Sequence, residues 1–162
     1  NNTFVVVGED GNILRSTDNG ENWDNATSPT GTSLKGVTFG NNTFLGVGDS
    51  GNIVRSTDNG INWDNASTPT GYTIWDVTFG NNTFVGFGHR GKIVRSTNNG
   101  SSFSYVTSGF GAGIHLTDVS FGNNTFVGVS MPSGNILRST DNGENWTSVD
   151  SGTTESLRGV AF

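Results

Sequence analysis

Asn41-Asn42-Thr43-Phe44 stands 40 residues after Asn1-Asn2-Thr3-Phe4 and returns as Asn81-Asn82-Thr83-Phe84 and Asn123-Asn124-Thr125-Phe126. Between returns, the same order of apolar runs, glycines and turn residues recurs, so the chain divides into repeats 1–40, 41–80, 81–122 and 123–162. The first two repeats agree at 27 of 40 positions, which is close enough for one fold to be read off all four. A unit of this length cannot bury its apolar surface alone, whereas stacked neighbours can, so the period points to a solenoid or a propeller. A single repeat domain without a separate linker is expected.

Working outward from that phrase, turn chemistry separates short apolar or alternating runs at roughly ten-residue spacing, the pattern of an all-β chain. At the end of the first repeat an inner strand covers Leu34-Lys35-Gly36-Val37-Thr38-Phe39, and Gly40-Asn41-Asn42 tolerates the positive φ of a tight hairpin. Strands Thr43 to Gly48 and Asn52 to Thr57 follow, and Asp58-Asn59-Gly60 turns the chain into a last strand around Asn62-Trp63-Asp64. Four antiparallel strands per repeat make a propeller blade. The expected fold is an all-β propeller of four blades of about 40 residues each, four-stranded and antiparallel. The sequence runs out of phase with the blades, opening on a second strand at Thr3-Phe4 and closing on an inner strand at Leu157-Arg158-Gly159-Val160-Ala161-Phe162. Since an unpaired strand edge is costly, the closing strand is expected to pair with an opening one as a clasp, in the same molecule or in a neighbour. Four blades alone would need successive sheets to turn by about 90°, and propellers run from four to eight blades. Two chains forming an eight-bladed ring as a homodimer is therefore the expectation.

Composition excludes several classes. The net charge is −6, with 8 basic residues distributed around the repeats, which argues against a surface that tracks phosphates, so no nucleic acid partner is expected. No apolar run is long enough to cross a bilayer, so no membrane partner is expected and the protein should be soluble. Cysteine is absent, which removes disulfides and thiolate metal sites. The 25 glycines sit at fixed places beside turn formers and punctuate strands. With Asn first and Phe4 already in an apolar run, either a leader has been removed or the sequence begins at a blade boundary.

The turn before each last strand reads Ser16-Thr17-Asp18-Asn19-Gly20-Glu21-Asn22-Trp23, Ser56-Thr57-Asp58-Asn59-Gly60-Ile61-Asn62-Trp63 and Ser139-Thr140-Asp141-Asn142-Gly143-Glu144-Asn145-Trp146. It resembles the Asp-box, or bacterial neuraminidase repeat, Ser-x-Asp-x-Gly-x-x-Trp, of sialidase, xyloglucanase and sortilin-type propellers. With Val-Thr-Phe-Gly-Asn-Asn-Thr-Phe between boxes, it is most similar to photosystem II assembly-factor-like propellers. The third copy, Ser96, Asn98, Gly100 and Phe103, departs by replacing Asp with Asn and Trp with Phe. An Asp at such a turn accepts backbone N–H bonds, the Gly supplies a left-handed residue and the Trp covers the turn, all structural tasks. In the family the box lies away from the active site. Calcium at Asp18-Asn19-Gly20-Glu21 would find too few oxygens for a site of six to eight ligands, so no metal is expected, and no cofactor is required.

Likeness to sialidases would imply an arginine cluster with a Tyr and Glu pair. Arg15, Arg55, Arg95 and Arg138, however, occupy one repeated position and are spread around the ring, where a blade-to-blade bond is their simpler task. Only Tyr72 and Tyr105 are present, and His89 and His115 have no activated Ser or Cys nearby. The Asn-x-Thr triplets at Asn41, Asn81 and Asn123 are by-products of the repeated turn. No enzyme is expected. Antiparallel order puts the monotonous Gly-Asn-Asn and box turns on one face of the disc and the varied turns on the other. That varied face collects Lys35, Tyr72, Trp75, Asp76, His89, Arg90, His115, Asp118 and Arg158, the composition of a binding patch. Two readings follow: a structural or interaction module with a protein partner, as likeness to the assembly-factor-like propellers implies, or a carbohydrate-binding propeller whose aromatics stack on a glycan. A recently amplified or engineered repeat with no dedicated ligand is also compatible with blades this alike.

Overall fold

The computed structural model describes residues 2–162, so Asn1 of the first repeat phrase lies outside the described residues. Four antiparallel sheets follow one another along the chain. The first has three strands, β1 (Phe4–Val7), β2 (Ile13–Ser16) and β3 (Asp24–Ala26). The second runs β4 (Leu34–Gly40), β5 (Thr43–Gly48), β6 (Ile53–Ser56) and β7 (Asp64–Asn65). The third runs β8 (Ile74–Gly80), β9 (Thr83–Gly88), β10 (Lys92–Ser96) and β11 (Ser104–Thr107). The fourth runs β12 (His115–Gly122), β13 (Thr125–Met131), β14 (Ile136–Ser139) and β15 (Thr147–Val149).

The repeated phrase builds the first hairpin of each complete blade. Phe39 faces Phe44 and Gly40 faces Thr43 across the loop Asn41-Asn42, whose φ values are 51° and 56°. A two-residue loop with both φ positive has the twist that antiparallel strands need, and asparagine tolerates it. The paired rings meet at 4.6 Å, 4.7 Å and 4.6 Å in the second, third and fourth blades.

The apolar cores lie between sheets. One layer joins Ile13 of the first blade to Leu34, Phe44 and Val54 of the second, and another joins Leu45 and Val47 to Ile74, Val77 and Phe84 of the third. The third layer joins Val85 and Phe87 to Leu116, Val119 and Phe126. Strands β5 and β9 are buried along their whole length because both of their faces meet a neighbouring blade. Inner strands also lock to one another. A Cβ at Gly40 would fall within the ring of Phe79 from the next blade, and Gly80 stands in the same relation to Phe121. Glycine is required at these places by close approach, not by a left-handed backbone.

Of the two clasps expected, the one within the same molecule is not formed in this chain. Among the described residues, 157–162 joins no ladder and β1 pairs only with β2. Strand hydrogen bonding needs a neighbour on the ladder side, and 157–162 has none there. The segment nevertheless docks on the fourth blade as an inner strand would. The Leu157 N–H donates to the Ser130 carbonyl at 3.1 Å, as the Leu34 N–H does to Gly8 at 2.9 Å, and the Phe162 ring covers Gly122. Lacking an inner strand beside it, Phe4 is 54 % exposed where its counterpart Phe84 is fully buried.

Candidate functional site

The box turns close on themselves through side-chain oxygens. Ser16 Oγ donates to Asp18 Oδ1 at 2.8 Å and accepts the Gly20 N–H at 2.9 Å. Asp18 also accepts the Asn22 backbone N–H at 3.0 Å and its side-chain amide at 2.7 Å, while the Trp23 indole donates to the Gly20 carbonyl at 3.0 Å. The same set recurs around Ser56, Asp58, Gly60 and Trp63 and around Ser139, Asp141, Gly143 and Trp146. Bonds from the backbone and side chain of Asn22 favour the charged form of Asp18 and lower it to about 2, and Asn145 does the same for Asp141. In the third copy Asn98 Oδ1 takes over, accepting from Ser96 Oγ at 2.9 Å and the Ser102 N–H at 3.1 Å, and Phe103 covers the turn without an indole.

The arginines bridge blades. Arg15, Arg55 and Arg95 each donate Nε to the carbonyl of Asn59, Asn99 and Asn142 at 2.7 Å, the left-handed residue of the next blade's box. Spread in this way, they converge on no common substrate.

On the other face, the residues singled out in the sequence fall into two groups. The first is created by a bulge repeated in every inner strand. Pairing jumps from Leu34 to Gly36, from Ile74 to Asp76 and from Leu116 to Asp118, leaving Lys35, Trp75 and Thr117 outside the ladder. A bulge re-aims its extra side chain, and these three turn to a common pocket with Arg158 and Met131, of about 330 Å³. Lys35 Nζ lies 3.3 Å from Asp49 Oδ2, and Thr117 Oγ1 donates to the Leu157 carbonyl at 2.9 Å. The indole nitrogen of Trp75 is buried with no hydrogen-bond partner among the described residues. Thr117 and Met131 were not among the candidate site residues. Aligning the four inner strands would have exposed Thr117, since Lys35, Trp75, Thr117 and Arg158 share one repeat position.

One residue further along the strands lie Gly36, Asp76, Asp118 and Gly159. Asp76 Oδ2 accepts the Val119 N–H at 3.0 Å, and Asp118 Oδ2 accepts the Val160 N–H at 2.6 Å, so each carboxyl ties its inner strand to the next. Burial, and then the hydrogen bond and charge of Asp118 beside it, push Asp76 up to about 7.

The second group lies on the rim of the third blade. His89 and His115 stack with centroids 4.2 Å apart, His115 Nδ1 accepts the Arg90 backbone N–H at 3.3 Å, and the Arg90 guanidinium sits 5.1 Å from the centre of Tyr72. Desolvation, with His115 and Arg90 adjoining, lowers His89. Lys92 and Tyr105 extend this rim, the ammonium 4.9 Å from the ring centre. Sequence reasoning passed over both, because they lie inside strands and not in the varied turns.

The arrangement of sheets is that of a β-propeller. The chain superposes on the WD40 β-propeller domain of Doa1 with a TM-score of 0.73 at 14 % identity, covering 98 % of this chain and 54 % of that one. It is equally similar to YCF48 bound to D1 peptide, with a TM-score of 0.73 at 19 % identity over 98 % of this chain and 53 % of that one. A GH74 enzyme of Niastella koreensis is 26 % identical with a TM-score of 0.59, over 84 % of this chain and 21 % of that one. The chain thus spans about half the length of the first two and about a fifth of the third. No family model and no curated protein matches it.

Proposed function

We propose that this propeller is a non-catalytic interaction module that seats a protein segment in the pocket at the inner edge of its varied face. The observation that carries the reading is the convergence of Lys35, Trp75 and Thr117 from three successive inner strands, and of Arg158 from the docked terminal segment, on one opening. Rigid strands present the group, a half-buried aromatic gives it an apolar floor and two cations its polar rim, the makings of a protein hot spot. YCF48, which shares the fold, has been captured with a peptide, which agrees with such a use. The Asp-box residues serve the turns in this reading.

Catalysis is disfavoured on chemical grounds. Asp76 and Asp118 each accept a backbone N–H from the segment that follows across the blade boundary, so these carboxyls serve as ties between blades and do not flank an open space for a scissile bond. The carbohydrate reading is disfavoured because Trp75, the only tryptophan outside the boxes, is half-buried and not laid open as a stacking platform. Panning a displayed random-peptide library tests the proposal. Binders whose capture is lost in Trp75→Ala, with a blank glycan array, are expected; a library that yields no binder to the folded protein, or capture unchanged by Trp75→Ala, refutes it.

We further propose that the open position beside β1 is filled by a segment of the kind seen at 157–162, supplied by a second copy in an eight-bladed ring. The exposed Phe4 edge and the inner-strand docking of Leu157 support this, and the mass in solution decides it.

A further inference from the structure

Residues 77–117 contain no Asp or Glu, although the chain has 14 acidic residues. Where the other repeats carry acids, the third carries neutral or basic residues. His89 matches Glu9 and Asp49, Arg90 matches Asp10, Asn98 matches Asp18, Asp58 and Asp141, and Ser101 matches Glu21 and Glu144. Ser104 matches Asp24 and Asp64, and Lys92 replaces Asn12 and Asn52. The even distribution of basic residues expected from the sequence therefore fails here, since Arg90, Lys92 and Arg95 fall within this stretch together with both histidines.

The fold does not demand this change. The third box closes through Asn98 as the others close through Asp, and Arg95 makes the same bridge as Arg15 and Arg55. The turn Gly88 to Gly91 keeps the shape of its counterparts, with φ of 58° at Arg90 against 54° at Asp10 and 56° at Ser50. A left-handed position suits a short polar side chain better than an arginine, so Arg90 brings no local advantage to the turn.

The substituted residues form a surface. Arg90, Lys92, Tyr105 and Phe110 line a groove of about 260 Å³ whose lining includes no acidic side chain. Tyr72 and Tyr105 are 38 % and 45 % exposed, each with a cation over its ring, and the stacked His89 and His115 continue the patch toward the inner strands.

We propose that this rim docks an acidic, extended segment of a protein partner, with its carboxylates on Arg90 and Lys92 and its apolar side chains in the groove beside Tyr105 and Phe110. The proposal rests on the interaction-module reading and names the chemistry of the partner. Complementary charge across such a surface sets specificity and accelerates encounter. A nucleic acid fits less well, because its phosphates would continue past the patch onto Asp49, bonded to Thr73 beside Tyr72, and onto Glu144, which lines the adjoining hollow with Tyr105. A peptide can place its acids where the blade is basic and nowhere else.

Fluorescence anisotropy with a short labelled peptide of alternating Glu and Tyr tests this against single-stranded oligo-dT of equal charge. The parent is expected to bind the peptide, more weakly as salt rises, and to prefer it to the oligonucleotide. Arg90→Glu with Lys92→Glu should weaken binding at least about tenfold while the melting temperature holds. Should charge reversal unfold the blade, Arg90→Gln with Lys92→Gln is read instead, with a smaller loss expected. Unchanged affinity in a folded double variant, or tighter binding of oligo-dT, overturns the proposal. If Trp75→Ala alone abolishes peptide binding, the rim proposal falls and the pocket reading stands; if the double variant alone does so, the rim proposal stands, and the pocket is judged separately by the library and Trp75→Ala.

Discussion

Replacing Asp76 with Asn should flatten the dependence of stability on pH between 5 and 8. Asp76 is held near 7 in the fold, against 3.8 for a free carboxyl. Because the folded value is raised, its contribution is fully present below 3.8 and is lost as pH rises through about 7. At about 1.4 kcal/mol per pH unit, the whole gap is worth about 4 kcal/mol, of which roughly half or somewhat more is lost between pH 5 and pH 8. For a chain of this size that corresponds to a melting midpoint about 5 to 10 °C lower at pH 8 than at pH 5. His89, lowered by desolvation, acts in the opposite sense, losing its contribution as pH falls through the histidine range, but it sits on the rim where water screens it. Asp18 and Asp141, held at about 2, lose theirs only below pH 4. The amide introduced by Asp76→Asn would still accept the Val119 N–H and donate to Asp118, so geometry is kept while the titrating group is removed. Thermal melts followed by circular dichroism at the two pH values, in parent and Asp76→Asn, give the answer. A parent midpoint equal at both, or an equal drop in the variant, would refute the raised Asp76 carboxyl.

Gly80→Ala should destabilise by about 1 to 3 kcal/mol in urea titration, because its Cβ would enter the Phe121 ring between two locked inner strands. Gly71→Ala, with open space around its Cβ, should change stability by less than about 0.5 kcal/mol, and equal effects at the two positions would defeat the argument. Light scattering of the 162-residue chain should give twice the chain mass if a second copy fills the place beside β1. A single-chain mass would dismiss the two-copy ring and leave the fold as described.

The sequence by itself determined the repeat, the four strands in each complete blade, the hairpin at Asn41-Asn42 and the residues of the box. All of these rest on contacts within a few residues, where turn chemistry and alternation suffice: Asp18 meets Ser16 and Asn22 because the turn between them is short. Which turns share one end of the blades followed from strand order alone. Only the tertiary structure decided which varied residues meet. The bulges at Lys35, Trp75 and Thr117 leave no mark in composition, yet they gather those side chains at one opening. The nine residues expected to share a single patch divide in two, the opening with Asp76 and Asp118 beside it and the rim of the third blade. Asp76 and Asp118 lie 42 positions apart, and the rise at Asp76 depends on burial and on the spacing of neighbouring inner strands. That spacing is set by packing across blades, through contacts such as Phe79 on Gly40, and no local pattern encodes it.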